Sequence, residues 1–232
     1  MNNRHLLISG LYRPDWANVK PDYFEPFTDK WTMNDYFEIP AQANETWDMV
    51  WQIHKGFVGV HESIPYIWKT ETNVSNWIDF YNTLKKTTII TTSKYPRLER
   101  GILFPIKEAL EDVGVPFFTS TLSMMVWYAV WKGFKHITLN GFNMLHQSEY
   151  ERQVPGAVRA IEWAVSKNCK INCKMYSIWK EKIENDTTAF AYDMSHYKEF
   201  IPYWLMYAQE MKIQVVRLPC EKITLNIDDI QK

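Results

Sequence analysis

The stretch TSTLSMMVWYAVWKGFKHITLNGFNMLHQSEY, residues 119–150, decides the fold. Three hydroxyl residues lead an almost unbroken apolar run, which reads as a buried helix over Thr119–Phe134 with Gly133 at its carboxyl end. A short strand follows at His136–Gly141, and then Asn143, His146, Ser148 and Tyr150 crowd into a few positions. A buried helix that feeds directly into a buried strand is the closing half of a β-α-β unit, and such units build parallel sheets.

Working outward, the same alternation continues. His5–Ser9 reads as a first strand closed by Gly10, and Lys30–Asn34 and Met49–His54 as two more. Asn73–Lys85 has helical spacing, with Asn73 or Asn76 as its cap. Thr87–Thr92 is β-branched throughout, as a strand buried on both faces should be. Gly101–Val113 carries a helical pattern ending at Gly114, and Lys170–Lys174 and Ile213–Leu218 are later strand candidates. The expected architecture is α/β: a Rossmann-like open, mainly parallel sheet flanked by helices. We expect one domain over 1–232, with an inserted helical or lid-like segment near 176–194.

Ser148–Pro155 and Ser195–Pro202 form a quasi-repeat. Its plainer reading is reuse of a helix start, where Ser caps and Pro is tolerated in the first turn.

Composition bounds the function. The 232 residues are 46% hydrophobic and 23% charged, enough for a core without metal or disulfide staples. Eleven Trp, thirteen Tyr and twelve Phe suit a core and also a site that stacks planar ligands. A net charge of −1 argues against a surface dominated by phosphate contacts. Cys169, Cys173 and Cys220 are an odd set without metal-like pairing, which points to reduced thiols in a cytoplasmic protein. The amino terminus has no signal-peptide pattern, and no run of about 18 apolar residues exists to cross a membrane.

Ligands of open parallel sheets bind outside the carboxyl ends of the strands. The loops so nominated run over Ser9–Asp15, Asn34–Glu38, His54–His61, Ser93–Arg100, Thr119–Ser123 and Asn143–Tyr150. The first contains Ser9, Gly10 and Arg13 but no GxGxxG, so a dinucleotide is not indicated; Arg13 meets a phosphate or solvent. Thr119, Ser120 and Thr121 open a helix, where they hold an anion or simply cap. Asn34 contacts a base or ribose, or forms a turn. His146 follows the strand beside the expected crevice and is the first choice of general base, with His54 second. Tyr150 and Tyr197 steady a phosphate or pack. No Asp-x-Asp is present to hold a metal-bound diphosphate.

The run from Thr119 to Met144, with its hydroxyl-led helix and GFKHITLNGFN, resembles a pattern of bacterial family 42 sialyltransferases and related Rossmann-like proteins, including pterin pyrophosphokinase-like and phage-borne ones. Lys30–Glu38 is similar to the early strand end of the sialyltransferases, and Trp51–His54 to an aromatic-x-x-His strand end of the phage proteins. The resemblance spans about residues 5–165. It implies nucleotide contacts at Asn34 and Thr119–Thr121, with Tyr150 near the phosphates. The family's Gly-Asn-Gly first loop is Ser9-Gly10-Leu11 here, its acidic residue after the fifth strand is Asn143, and its catalytic His lies in a later segment.

The expected function is a metal-independent glycosyltransferase that uses a nucleotide-sugar donor and needs no cofactor. Its donor contacts would be Ser9, Gly10, Arg13, Asn34, Thr119, Ser120, Thr121, Asn143, Tyr150 and Tyr197. The acceptor is a hydroxyl, and the phage resemblance implies a hydroxymethylated base in DNA. The alternatives are a nucleotide-dependent pyrophosphokinase and a non-catalytic protein that sequesters a nucleotide.

Overall fold

The computed structural model describes residues 4–34, 36–53, 78–92, 94–113, 118, 120–145 and 148–185, with only the backbone at 21, 38, 110, 148–152 and 183–185. Among the described residues seven short strands form one sheet: β1 (His5–Ser9), β2 (Asp29–Met33), β3 (Met49–Gln52), β4 (Thr88–Thr91), β5 (Gly101–Leu103), β6 (His136–Asn140) and β7 (Lys170–Cys173). Their order is β5-β4-β3-β2-β1-β6-β7, and every neighbouring pair is parallel. The sheet is open and Rossmann-like.

Chain direction sorts the connections. Steps from β1 toward β5 go one way across the sheet, and those to β6 and β7 go back. Because such crossovers are right-handed, the two sets cover opposite faces. On one face Leu7, Val50 and Ile89 pack against Trp16 and Phe24 of two 3-10 turns, Ile39 and Trp47 around the short helix α1 (Pro40–Ala43), and Tyr81 of helix α2, described over residues 78–83. On the other face Leu6, Ile8, Trp31, Trp51, Ile137 and Leu139 pack against α3 (Ile106–Val113), α4 (Thr121–Trp131), α5 (Ser148–Ser166) and α6 (Tyr176–Asn185). Central strands are apolar on both faces because both are covered. Trp31, Trp51, Phe104, Phe118, Trp127 and Tyr128 form a continuous ring cluster, so much of the aromatic excess is core.

Three expectations need correcting. Gly101–Val113 is not one helix: Gly101–Leu103 is the edge strand β5, registered on Ile89–Thr91, and α3 begins only after Pro105. Proline disfavours helix at the residue before it and tolerates the helix start after it, so Phe104 is the break. Second, the apolar helix is shorter at both ends than Thr119–Phe134, because Ser120 caps it and Lys132 ends it. Third, Pro155 lies well inside α5 instead of in its first turn. Residues 176–185 form α6, whose Trp179 is fully buried in the second core. Residues 186–194 and the strand candidate Ile213–Leu218 lie outside the described residues. Among the described residues no helix is long and apolar enough to cross a membrane.

Candidate ligand site at the carboxyl edge of the sheet

Chain direction reverses between β1 and β6, so their carboxyl ends define the crevice where such sheets hold ligands. Here the two loops are joined to each other. The Gly10 N–H donates to the Asn140 carbonyl at 2.8 Å, and the Tyr12 N–H to the Gly141 carbonyl at 2.8 Å. The Gly10 carbonyl accepts from Trp16 Nε1 at 3.0 Å and from Gln42 Nε2 at 2.8 Å. Gln42 in turn accepts from Thr32 Oγ1 at 2.8 Å, and the Gly141 N–H donates to Asp15 Oδ2 at 3.2 Å. A Cβ on Gly10 would collide with the Gly141 carbonyl and one on Gly141 with Trp16, so only glycine permits this approach. Ser9 is fully buried below the seam, and both backbone polar groups of Gly10 are engaged. Arg13 is exposed on the first 3-10 turn. Asn143 Oδ1 accepts the Leu145 N–H at 3.2 Å, the geometry of a local turn.

Helix α4 leads into β6 and runs antiparallel to it, so its amino end also lies at the carboxyl edge. The Ser120 hydroxyl accepts the Ser123 N–H at 3.2 Å while Ser123 Oγ accepts the Ser120 N–H at 3.2 Å, a reciprocal capping box. Both hydroxyls are therefore occupied, and Thr121 beside them is buried. Thr119 lies outside the described residues.

Two strands away the edge is different. Asn34 follows β2 with φ +43, a left-handed conformation that asparagine tolerates, and its N–H is fixed on the Trp51 carbonyl at 2.9 Å. Its side-chain Oδ1 is buried without a hydrogen-bond partner. Gln52, at the end of β3, is 5% exposed, and its Oε1 is likewise buried and unpartnered. Its Nε2 donates to the Tyr81 hydroxyl at 3.4 Å. Met33 pairs with Trp51, so the backbones of Asn34 and Gln52 are next in register, and Gln52 projects from the same face as Val50. A buried carbonyl without a partner costs about 1–3 kcal/mol, so two at the ends of neighbouring strands are an unusual retention. Trp51 Nε1 is also unpartnered, but on the opposite face inside the ring cluster. Phe37 and the partly exposed Phe80 meet edge to face at 5.4 Å, and Phe80 adjoins Tyr81 at 5.6 Å.

The structure thus brings Ser9, Gly10, Asn34, Ser120, Thr121 and Asn143 to one edge of the sheet. Tyr150 is described only as backbone in the first turn of α5. His54, His146 and Tyr197 lie outside the described residues. Gln52 was missed by sequence reasoning, although a polar residue closing the apolar run Met49-Val50-Trp51 was a signal. His5 and His136 sit at the opposite, amino edge, their rings stacked at 3.8 Å. Burial lowers both their pKa values, with Lys170 contributing in each and His136 also acting on His5. Burial pushes the Cys169 and Cys173 thiols up to about 11, so they are unreactive near neutrality. Among the described residues no group of three or more His, Cys, Asp or Glu is placed to hold a metal ion. No protein-family model, curated protein or solved structure matches the chain.

Proposed function

We propose that the chain binds a nucleotide-sugar donor over the carboxyl edge of the sheet and transfers the sugar to a hydroxyl acceptor, without a metal. The observation that carries the reading is Asn34. Its backbone is pinned in a left-handed conformation at a strand end, and its buried Oδ1 lacks a partner within the protein. An amide kept so at the edge where parallel sheets take ligands is explained by a ligand that completes it. The first turn of α4 faces the same edge and supplies N–H groups for the phosphate leaving group. A histidine, His146 in first place and His54 in second, takes the acceptor proton. A hydroxymethylated base in DNA is the acceptor that the sequence resemblance raises.

The test is a panel of nucleotide sugars assayed for donor hydrolysis and transfer, with thermal shift in parallel. Turnover with one donor supports the reading; no turnover and no shift with any of them overturns it. The Gly10–Gly141 seam favours a second reading, a binder without chemistry, because it fills the crevice where a reacting group would sit. Tight binding with the nucleotide sugar recovered intact would select it.

A further inference from the structure

We infer that the crevice over β1 and β6 takes an uncharged, hydroxyl-bearing sugar and turns acidic sugars away, with Asp15 setting the choice. The inference rests on the donor reading above and names the class of sugar that the donor carries.

The first question is which polar groups at this crevice are still available. Along the seam, the N–H and carbonyl of Gly10 and those of Gly141 are all hydrogen-bonded within the protein. Ser9 is buried beneath them, and Asn143 Oδ1 holds the Leu145 N–H. Asp15 differs. Its backbone N–H donates to the Tyr12 carbonyl at 3.2 Å and its Oδ2 accepts the Gly141 N–H at 3.2 Å, so the carboxylate is held against the end of β6. The residue is exposed, and its Oδ1 bonds to none of the described residues.

A carboxylate oxygen only accepts, and it has room for more than one donor. Sugar hydroxyls supply such donors. A second carboxylate or a phosphate has no proton to give and meets a like charge instead. The charge of Asp15 is felt along this edge: burial raises the pKa of Tyr23 and of Cys173 at the end of β7, and Asp15 adds to the rise in both. Arg13, on the same 3-10 turn, has interactions of its own, and Lys174 lies exposed one strand farther out, after β7. The charge fixed against β6 is therefore negative. Phosphates belong toward α4, and an uncharged sugar belongs over the seam. A sialic acid, the sugar that gives the sialyltransferases their name, is disfavoured there.

Calorimetric binding of the whole chain to matched donors tests this: UDP-glucose against UDP-glucuronate, and GDP-mannose against GDP-mannuronate. Each pair exchanges only a hydroxymethyl group for a carboxylate, and CMP-N-acetylneuraminate serves as a further acidic donor. At low salt the neutral member should bind about fivefold more tightly or better, the worth of two like charges about 4 Å apart in water. The gap should narrow as salt is added, because the carboxylate is exposed. Asp15→Asn keeps an oxygen for the Gly141 N–H and so should fold, and it should close the gap by tightening the acidic member. Acidic donors that bind as tightly as neutral ones, or CMP-N-acetylneuraminate binding alone, overturn the inference and leave the donor reading standing. A neutral preference that survives Asp15→Asn also overturns it. If no nucleotide sugar of either kind binds, the donor reading falls and this inference falls with it.

Discussion

Replacing Gln52 by methionine should stabilise the unliganded protein. The side chain is 5% exposed, and its Oε1 has no partner, which costs about 1–3 kcal/mol relative to a solvated carbonyl. Methionine has nearly the same shape and carries no such oxygen. Against this stands the loss of the Nε2 to Tyr81 hydroxyl contact, which at 3.4 Å is long and is worth at most about 0.5–1 kcal/mol. The net gain is about 1 kcal/mol, which for a chain of this size corresponds to roughly 2–4 °C in Tm. Urea denaturation followed by tryptophan fluorescence, with calorimetry on the same samples, measures it. A variant less stable by about 1 kcal/mol or more would show that Gln52 is satisfied in solution and that no binding function need explain it.

Other outcomes follow from the same geometry. Gly141→Ala would place a methyl group against Trp16 and 2.5 Å from the Gly10 carbonyl at φ +76, and should cost about 3 kcal/mol or more in urea unfolding. His5 and His136 have folded-state pKa values below 6.5, so the fold favours their neutral forms. Their contribution is therefore present above about pH 6.5 and lost as pH falls through the lowered folded values; urea midpoints should drop over that window, and a rise would contradict the stacked neutral pair. Under the proposed transferase reading, His146→Ala should lower turnover by roughly 10²–10⁴-fold with donor affinity unchanged, and full activity would move the general base to His54. Cys169 and Cys173 should alkylate far more slowly at pH 8 than a free thiol, as peptide mapping after iodoacetamide will show.

What the sequence disclosed was local and periodic. Leu6-Leu7-Ile8 and Thr88–Thr91 are apolar or β-branched without alternation, which only a strand covered on both faces requires, and both are such strands. Ser120 was legible as a cap because capping is a relation across three residues. The strand at Gly101–Leu103 was not, because its pairing with β4 depends on a neighbour in space and its composition also fits a helix start. The site divides in the same way. Asn34 was visible as a polar residue at a strand end. Its relation to Gln52 depends on how β2 and β3 align, and no spacing along the chain encodes that register. The engagement of Gly10 was hidden for a like reason: its partners come from Trp16, Gln42 and Asn140, brought together only by the fold.

The position of β1 has a consequence for how the chain is made. β1, synthesised before the other six strands described, sits inside the sheet, and one of its two neighbours, β6, arrives late; the His5–Thr138 contact joins residues 133 positions apart. Closing a loop of that length carries an entropy cost of about 4 kcal/mol, so this pairing forms only once much else can form with it. On the ribosome, a nascent chain that has completed β5 still shows Leu6, Leu7 and Ile8 along an open edge. Such an edge invites pairing with other chains, and chaperone protection would be needed until His136–Asn140 has emerged.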